Sequence, residues 1–486
     1  VHPHLSVDHL VLAGAGLLAA GVVMSRLADR IRVPGLLLFL GLGMAVGDDG
    51  LAWVHFGDPH LAQNLCVVAL ILILFDGGLS SSPRLLRQVV APASVLATVG
   101  VFVSAVITGV AAMWLLHVSF NTALLVGAVV ASTDAAAVFS VLRGAPIPER
   151  LDALLETESG GNDPAAVLLT VGLLATYKGG VTAGDWVIFG VQQLAGGLIV
   201  GVVVGYLGSR ILVRTSGSSA APLVGLATAA GCYGVAAWLG ASGFLAVFVG
   251  GVLMGAVAPS HGKASNAFHS GLASLAQLGL FFLLGILVFP SQLGGVAWRA
   301  LAIAAVLLFI ARPVAVAASV VWFRIPWRSA AFVSWAGLRG AVPIVLATFP
   351  LTAHHPDGSL VFDVVFFVVL VSATVQGATV VPVARWLGLR HEPGPWDPIV
   401  DVVPMDQFGV ELLELELNPT SPVVGRAIAE VPMPGDARII TIIRDGRVVL
   451  ATGSTVLDEG DHLAVAGGRS HNLRDALSAW AGGDDD

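Results

Sequence analysis

Glu156-Thr157-Glu158-Ser159-Gly160-Gly161-Asn162-Asp163-Pro164 runs straight into the apolar stretch Ala165–Ala175, which sets carboxylates at membrane depth. An acid in hydrocarbon costs several kcal/mol, about 3 on insertion scales, so it marks a place where an ion or a proton is handled. Asp134 interrupts a second apolar stretch, Leu124–Leu142, and Arg339 a third, Ala330–Phe349. Three such charges on three segments point to a transport site rather than an anchor. Asp163 is the first candidate. Without water its anion needs company, and a proton and a cation compete for that role. Capping of a helix before Pro164 is the plainer alternative. Ser159, four residues earlier, shares its helical face and offers a neutral oxygen, although helical serines often bond back to their own turn. Thr133 and Asp134 bring a hydroxyl and a carboxylate together, either as cation ligands or to satisfy frayed backbone.

The elements that must position these groups are membrane helices. Hydrophobic residues make up 56% of the chain and charged residues 12%, against about a quarter charged in soluble domains. Mean hydropathy is +0.87. With roughly 20 apolar residues per span, about thirteen segments are expected. They lie near 10–26, 33–47, 61–79, 92–116, 121–142, 154–176, 186–213, 222–239, 241–258, 269–290, 296–323, 327–350 and 360–387. Lys and Arg collect in alternate loops, for example Arg26/Arg30/Arg32, Arg84/Arg87, Arg143/Arg150, Arg210/Arg214 and Arg385/Arg390. That alternation predicts an N-terminus outside and a C-terminus in the cytoplasm. Arg26, Arg30 and Arg32 come after the first segment, so a cleaved signal peptide is not expected there.

Other classes find little support. Cys66 and Cys232 both fall in apolar stretches, which gives no disulfide framework. The formal charge of −8 and the acidic tail Asp484-Asp485-Asp486 argue against nucleic acid as a partner. There is no Walker lysine motif, dinucleotide fingerprint or His-Glu-x-x-His pattern, so an enzyme or an ATP-driven pump is disfavoured. A potassium channel needs a filter of Thr-Val-Gly-Tyr-Gly character, and none is present.

The composition changes after Arg390. Residues 391–405, rich in Pro, read as a linker. Val410–Leu417 alternates apolar and acidic residues, the period of a half-buried strand. Val423–Val431 reads as a short helix. Ile439–Ile443 and Val448–Leu450 flank Asp445-Gly446 as a hairpin. His462–Ala466 reads as a strand and His471–Trp480 as a helix. The expected organisation is a membrane domain over 1–390, the linker 391–405, and a small cytoplasmic α/β domain over 406–486.

Four motifs in this order carry a resemblance: Leu74-Phe75-Asp76-Gly77-Gly78-Leu79, Ser132–Ser140, Glu158–Pro164 and Ser334–Pro343. The chain resembles the cation:proton antiporter-1 family, in its potassium/proton branch with a C-terminal RCK-C (TrkA-C) domain. The resemblance implies an all-α membrane fold of inverted repeats, with two broken helices crossing at mid-membrane near Thr133-Asp134 and Gly337–Pro343. It implies a homodimer in the bacterial cytoplasmic membrane whose mobile core exchanges K⁺, or alternatively Na⁺, for H⁺. Asp163, Asp134, Thr133, Ser159 and Asn162 are then the expected cation and proton site. Asn162 stands where electrogenic relatives have a second aspartate, which implies electroneutral exchange. Asp76 is expected to line or gate the cytoplasmic approach, and Glu158 and Arg339 to form a structural ion pair. Ala135 follows Asp134 where many relatives have proline. Arg312 is a further intramembrane charge with no assigned partner. No cofactor is expected beyond the transported ions, with a regulatory nucleotide or cyclic dinucleotide a candidate ligand of the RCK-C domain.

Overall fold

The computed structural model describes residues 14–16, 19–21, 23–24, 26, 35–53, 58–81, 83–134, 137–138, 147–177, 179, 182–215, 220–257, 263–389, 401–405, 410–417, 421–444, 447–468 and 473–481. The start of the first expected segment, residues 135–136 and 139–146, most of the linker, the Asp445-Gly446 turn and the acidic tail lie outside the described residues. So do Arg30, Arg32, Arg143 and Arg390 of the loop-charge pattern. The chain divides into two compact units, Val1–Arg390 and His391–Asp486.

The first unit is helical. Its elements begin with α1 (Gly35–Val46), α2 (Pro59–Ser80), α3 (Pro83–Val95), α4 (Val101–Leu116), α5 (Phe120–Val129), α6 (Glu149–Tyr177) and α7 (Ala183–Thr215). Then come α8 (Ala221–Trp238), α9 (Gly243–Val257), α10 (Lys263–Ile286), α11 (Pro290–Val306), α12 (Arg312–Val320), α13 (Trp327–Trp335), α14 (Ala341–Thr352) and α15 (Gly358–Trp386). Seven helical runs are long and apolar enough to cross a membrane among the described residues. Ends are set by local chemistry. Asp58 caps α2 by accepting from the amides of His60 and Leu61 at 2.9 and 3.2 Å, with Pro59 at the first position. Small residues bring helices close: a Cβ on Gly201 of α7 would stand 2.7 Å from the Ala246 carbonyl of α9, and one on Gly205 2.7 Å from the Gly250 Cα.

Among the described residues, two runs carry a single π turn. Leu96–Gly100 joins α3 to α4, and Leu307–Ala311 joins α11 to α12. A π turn inserts one extra residue and so rotates the helix beyond it about its axis. Immediately after the second π turn stands Arg312, which is delivered to the interior, 3% exposed.

The helix breaks fall where the motifs predict them. α5 stops at Val129 and the chain is irregular through Asp134; α13 stops at Trp335 and α14 starts at Ala341. Two glycines at the second break are required by close approach. A Cβ on Gly337 would stand 2.6 Å from Nε of Arg312, and one on Gly340 would fall inside the Asp134 carboxylate.

The second unit is an antiparallel sheet in the order β1-β2-β5-β3-β4, built from β1 (Asp401–Met405), β2 (Val410–Glu416), β3 (Arg438–Arg444), β4 (Arg447–Leu450) and β5 (His462–Gly468), with helix α16 (Leu473–Ala481). Leu413, Leu415 and Leu417 alternate into a core with Ile442, Leu463, Val465 and Leu477. Two expectations are corrected. Asp401–Met405, assigned to the linker, pairs with β2; Pro404 is tolerated because β1 is an edge strand. Val423–Val431 is not a helix but turns with one 3-10 turn, Ile428–Glu430. Its amides bond across to another segment, Gly425 to the Leu457 carbonyl at 2.8 Å and Ala429 to Gly453 at 2.9 Å. Gly425 sits at φ +80, outside the helical region.

Candidate functional site

The two helix breaks touch. The Asp134 amide donates to the Leu338 carbonyl at 2.8 Å, and Nη1 of Arg339 donates to the Ser132 carbonyl at 3.0 Å. Each break thereby satisfies backbone groups that the other exposes, which a non-helical segment at membrane depth requires. Asp134 also accepts from the Ala137 amide at 3.1 Å, as an N-cap would.

α6 is pinned to the first break from its own motif. Ser159 Oγ donates to the Thr133 carbonyl at 2.9 Å, and Nδ2 of Asn162 to Thr133 Oγ1 at 2.5 Å. So Thr133, Asp134, Ser159, Asn162 and Asp163 are gathered at one place, as the spacing on α6 and the break on α5 require. Asp163 is 3% exposed, and among the described residues its Oδ1 has no hydrogen-bond partner; Asn162 Oδ1, fully buried, has none there either. An unmatched buried carboxylate oxygen is costly, and here it faces a purpose. Asp163, Asp134 and Ser159 line one cavity of about 420 Å³, together with Asp76 and Glu156. Pro164 lacks an amide hydrogen, so the Gly160 carbonyl loses its helical donor, and Gly160 also lines the cavity. Carboxylate, hydroxyl and carbonyl oxygens around an open volume suit a hard monovalent cation or a proton.

The expected Glu158–Arg339 pair is not formed. Glu158 is held by Arg312, Nη1 to Oε1 at 2.5 Å and Nη2 to Oε2 at 2.9 Å, a bidentate geometry with both side chains at most 3% exposed. Arg312, buried immediately after the π turn, meets both carboxylate oxygens with its planar fork. Its Nη2 also donates to the Val333 carbonyl at 3.3 Å. Arg339 instead serves the breaks through Ser132, and its Nη2 has no partner among the described residues.

A supporting stripe on α15 lies outside every motif named above. Ser372, Gln376 and Thr379 lie at i, i+4 and i+7 in an otherwise apolar helix. Gln376 Nε2 donates to the Trp335 carbonyl at 2.6 Å, Ser372 Oγ accepts from the Arg339 amide at 3.0 Å, and Thr379 Oγ1 accepts from Trp335 Nε1 at 3.0 Å. These bonds fix the ends of the second break. Polar residues at helical spacing on one apolar span were the available signal.

Comparison with known proteins bears on this arrangement. Residues 16–386 match the family model for the sodium/hydrogen exchanger transmembrane region, and residues 412–477 match the TrkA-C domain. The chain is 40% identical over 476 residues to the K(+)/H(+) antiporter NhaP of Alkalimonas amylolytica, covering 95% of this chain and 81% of that protein. It is 38% identical over 475 residues to the K(+)/H(+) antiporter NhaP2 of Shewanella sp. (strain MR-4), covering 95% and 82%. The sodium proton antiporter MjNhaP1 from Methanocaldococcus jannaschii superposes with a TM-score of 0.68 at 22% identity, over 78% of this chain and 99% of that one. At that identity the likeness concerns the fold.

Proposed function

The chain belongs to the sodium/hydrogen exchanger family and is a multi-pass cation/proton antiporter rather than an enzyme, and from that premise we propose that it exchanges K⁺ for H⁺ at Asp163, one for one. The observation that carries this is the buried Asp163 carboxylate, with an oxygen that has no partner among the described residues, set against the cavity and the touching breaks. K⁺ rather than Na⁺ is supported by the names of the relatives at 38–40% identity. Oxygen ligands of this kind accept both ions.

The one-for-one ratio is supported by charge. Asn162 stands beside Asp163 with no charge of its own, so this pair carries one negative charge. One proton or one monovalent cation neutralises it. An empty, ionised core would carry bare charge through apolar surroundings, whereas a loaded one would not. Exchange is then obligatory: Asp163 crosses with one ion or the other, never alone. Ser159, Thr133 and the Gly160 carbonyl supply neutral oxygens to the cation, and Asn162 holds Thr133 in place without adding a second titrating acid. Glu158–Arg312 and Arg339 keep the architecture. The membrane is the bacterial cytoplasmic one, with the N-terminus outside, by the loop-charge argument. The resemblance further supports a homodimer with a mobile core, residues 391–400 as a linker, and a regulatory RCK-C domain that takes a small ligand such as a nucleotide or cyclic dinucleotide.

Proteoliposomes loaded with a pH dye test the reading. A K⁺ pulse is expected to dequench the dye more than Na⁺ does, at a rate unaltered when a permeant ion collapses the membrane potential. A response to Na⁺ alone would overturn the substrate. A rate that tracks the potential would overturn the ratio.

A further inference from the structure

A second cavity, of about 350 Å³, shares no lining residue with the one at Asp163. Phe309, Pro313 and Val316, from the second π turn and α12, form one wall; Ala331, Ser334 and Trp335 of α13 form the other. The Phe309 and Trp335 rings meet across it, 5.7 Å between centroids. Its lining is apolar apart from Ser334 and the Trp335 indole, whose Nε1 is already spent on Thr379. Phe309 is 64% exposed, so the cleft opens on the outer surface of the helices.

α13 leads from Trp335 back to Trp327, roughly 12 Å along its axis, and there the chemistry changes. Arg324, Arg328 and Arg385 are exposed, and so are Trp322, Trp327 and Trp386. Arg328 stacks over the Trp327 ring at 5.7 Å. It also reaches the end of α15, where a Cβ on Gly388 would stand 3.6 Å from its Nη1. Among the described residues none of these arginines has a carboxylate partner. The sequence holds no Asp or Glu over 321–334 or 380–390. Tryptophans and cations together at the ends of apolar helices mark the level of lipid headgroups.

We propose that this cleft and its arginines form a binding site for an anionic phospholipid. One acyl chain fills the apolar cleft as far as Trp335. The headgroup phosphate sits on Arg324 and Arg328, with Arg385 adding charge. Guanidinium groups match phosphate through paired N–H donors. A second copy of the chain docked face to face here would set these arginines against their own equivalents, whereas a phosphate neutralises them. The loop-charge argument puts this end on the cytoplasmic side, the leaflet whose anionic lipids attract basic segments.

Thermal unfolding of the full-length protein in detergent tests the site, with phosphatidylglycerol as the probe and phosphatidylcholine of the same chains as control. Phosphatidylglycerol is expected to raise the unfolding temperature by roughly 2–4 °C, and phosphatidylcholine clearly less. The double variant Arg324→Gln, Arg328→Gln, changed only at the surface, should erase that difference. Ala331→Leu, which fills the cleft and leaves the arginines, should shrink it too; Ala330→Leu takes its place if that variant does not fold. Glycerol phosphate, with the charge but no chain, should give no shift. Equal shifts from both lipids, or a phosphatidylglycerol shift that survives in the arginine variant, would overturn the headgroup site. A shift untouched by filling the cleft, or reproduced by glycerol phosphate, would overturn the seat for the chain. Self-association lost in the cleft variant, with the lipid shifts unchanged, would assign this face to a second copy instead.

Discussion

Asp163→Asn is expected to reduce cation/proton exchange to background while leaving a folded protein. Asn keeps the shape of the side chain and removes the charge and the titrating proton. That position is then neutral with no ion bound. Nothing forces the core to load before it moves, and nothing couples one ion to the other. The buried Oδ1 that lacks a partner among the described residues costs less as part of a neutral amide than as part of an anion. Thermal unfolding of the purified variant should therefore occur at or above the wild-type temperature. Lost exchange together with a lowered unfolding temperature would mean that Asp163 serves the fold instead.

The second large effect concerns Glu158 and Arg312. Removing either partner leaves the other charge buried, at most 3% exposed, and such losses cost about 3–5 kcal/mol. Glu158→Gln and Arg312→Gln are each expected to be strongly destabilised, and the double variant much less so than the sum. A coupling of about 0.5–3 kcal/mol is the range for residues in direct contact. The same cycle between Glu158 and Arg339 should give a smaller coupling, because Arg339 donates to the Ser132 carbonyl instead. Denaturant titration of the purified proteins reads both cycles. A larger coupling to Arg339 would restore the pairing that the motifs alone suggest.

That pairing shows where sequence reading reached and where it stopped. The membrane class was legible in the composition, and the site on α6 in the acids of an apolar run, because insertion cost makes such residues conspicuous. Both helix breaks were legible through the family resemblance, which placed them at Thr133-Asp134 and Gly337–Pro343. The partner of Glu158 was not legible. Arg312 and Arg339 are equivalent by residue type, and Arg312 stands immediately after a π turn at Leu307–Ala311 that no residue in that apolar stretch announces. Ser372, Gln376 and Thr379 were passed over because each alone is ordinary in a membrane helix. Only their shared face, turned to the Trp335–Arg339 break, gives them a role. In the C-terminal unit the alternating Leu413, Leu415 and Leu417 revealed β2, whereas β1 was hidden by Pro404 and by its place next to a proline-rich run.

Competition between K⁺ and H⁺ for one carboxylate is the central claim, and the pH dependence of cation affinity tests it most directly. Protonation removes the cation's site, so affinity falls as pH falls. The apparent KM for K⁺ is expected to rise about tenfold for each pH unit below the midpoint of the shared carboxyl, as linkage of one proton requires. The rate at saturating K⁺ on the cation-binding side should stay level over the same range. A KM indifferent to pH, with only the maximal rate changing, would mean that proton and cation bind at separate places and would contradict the account.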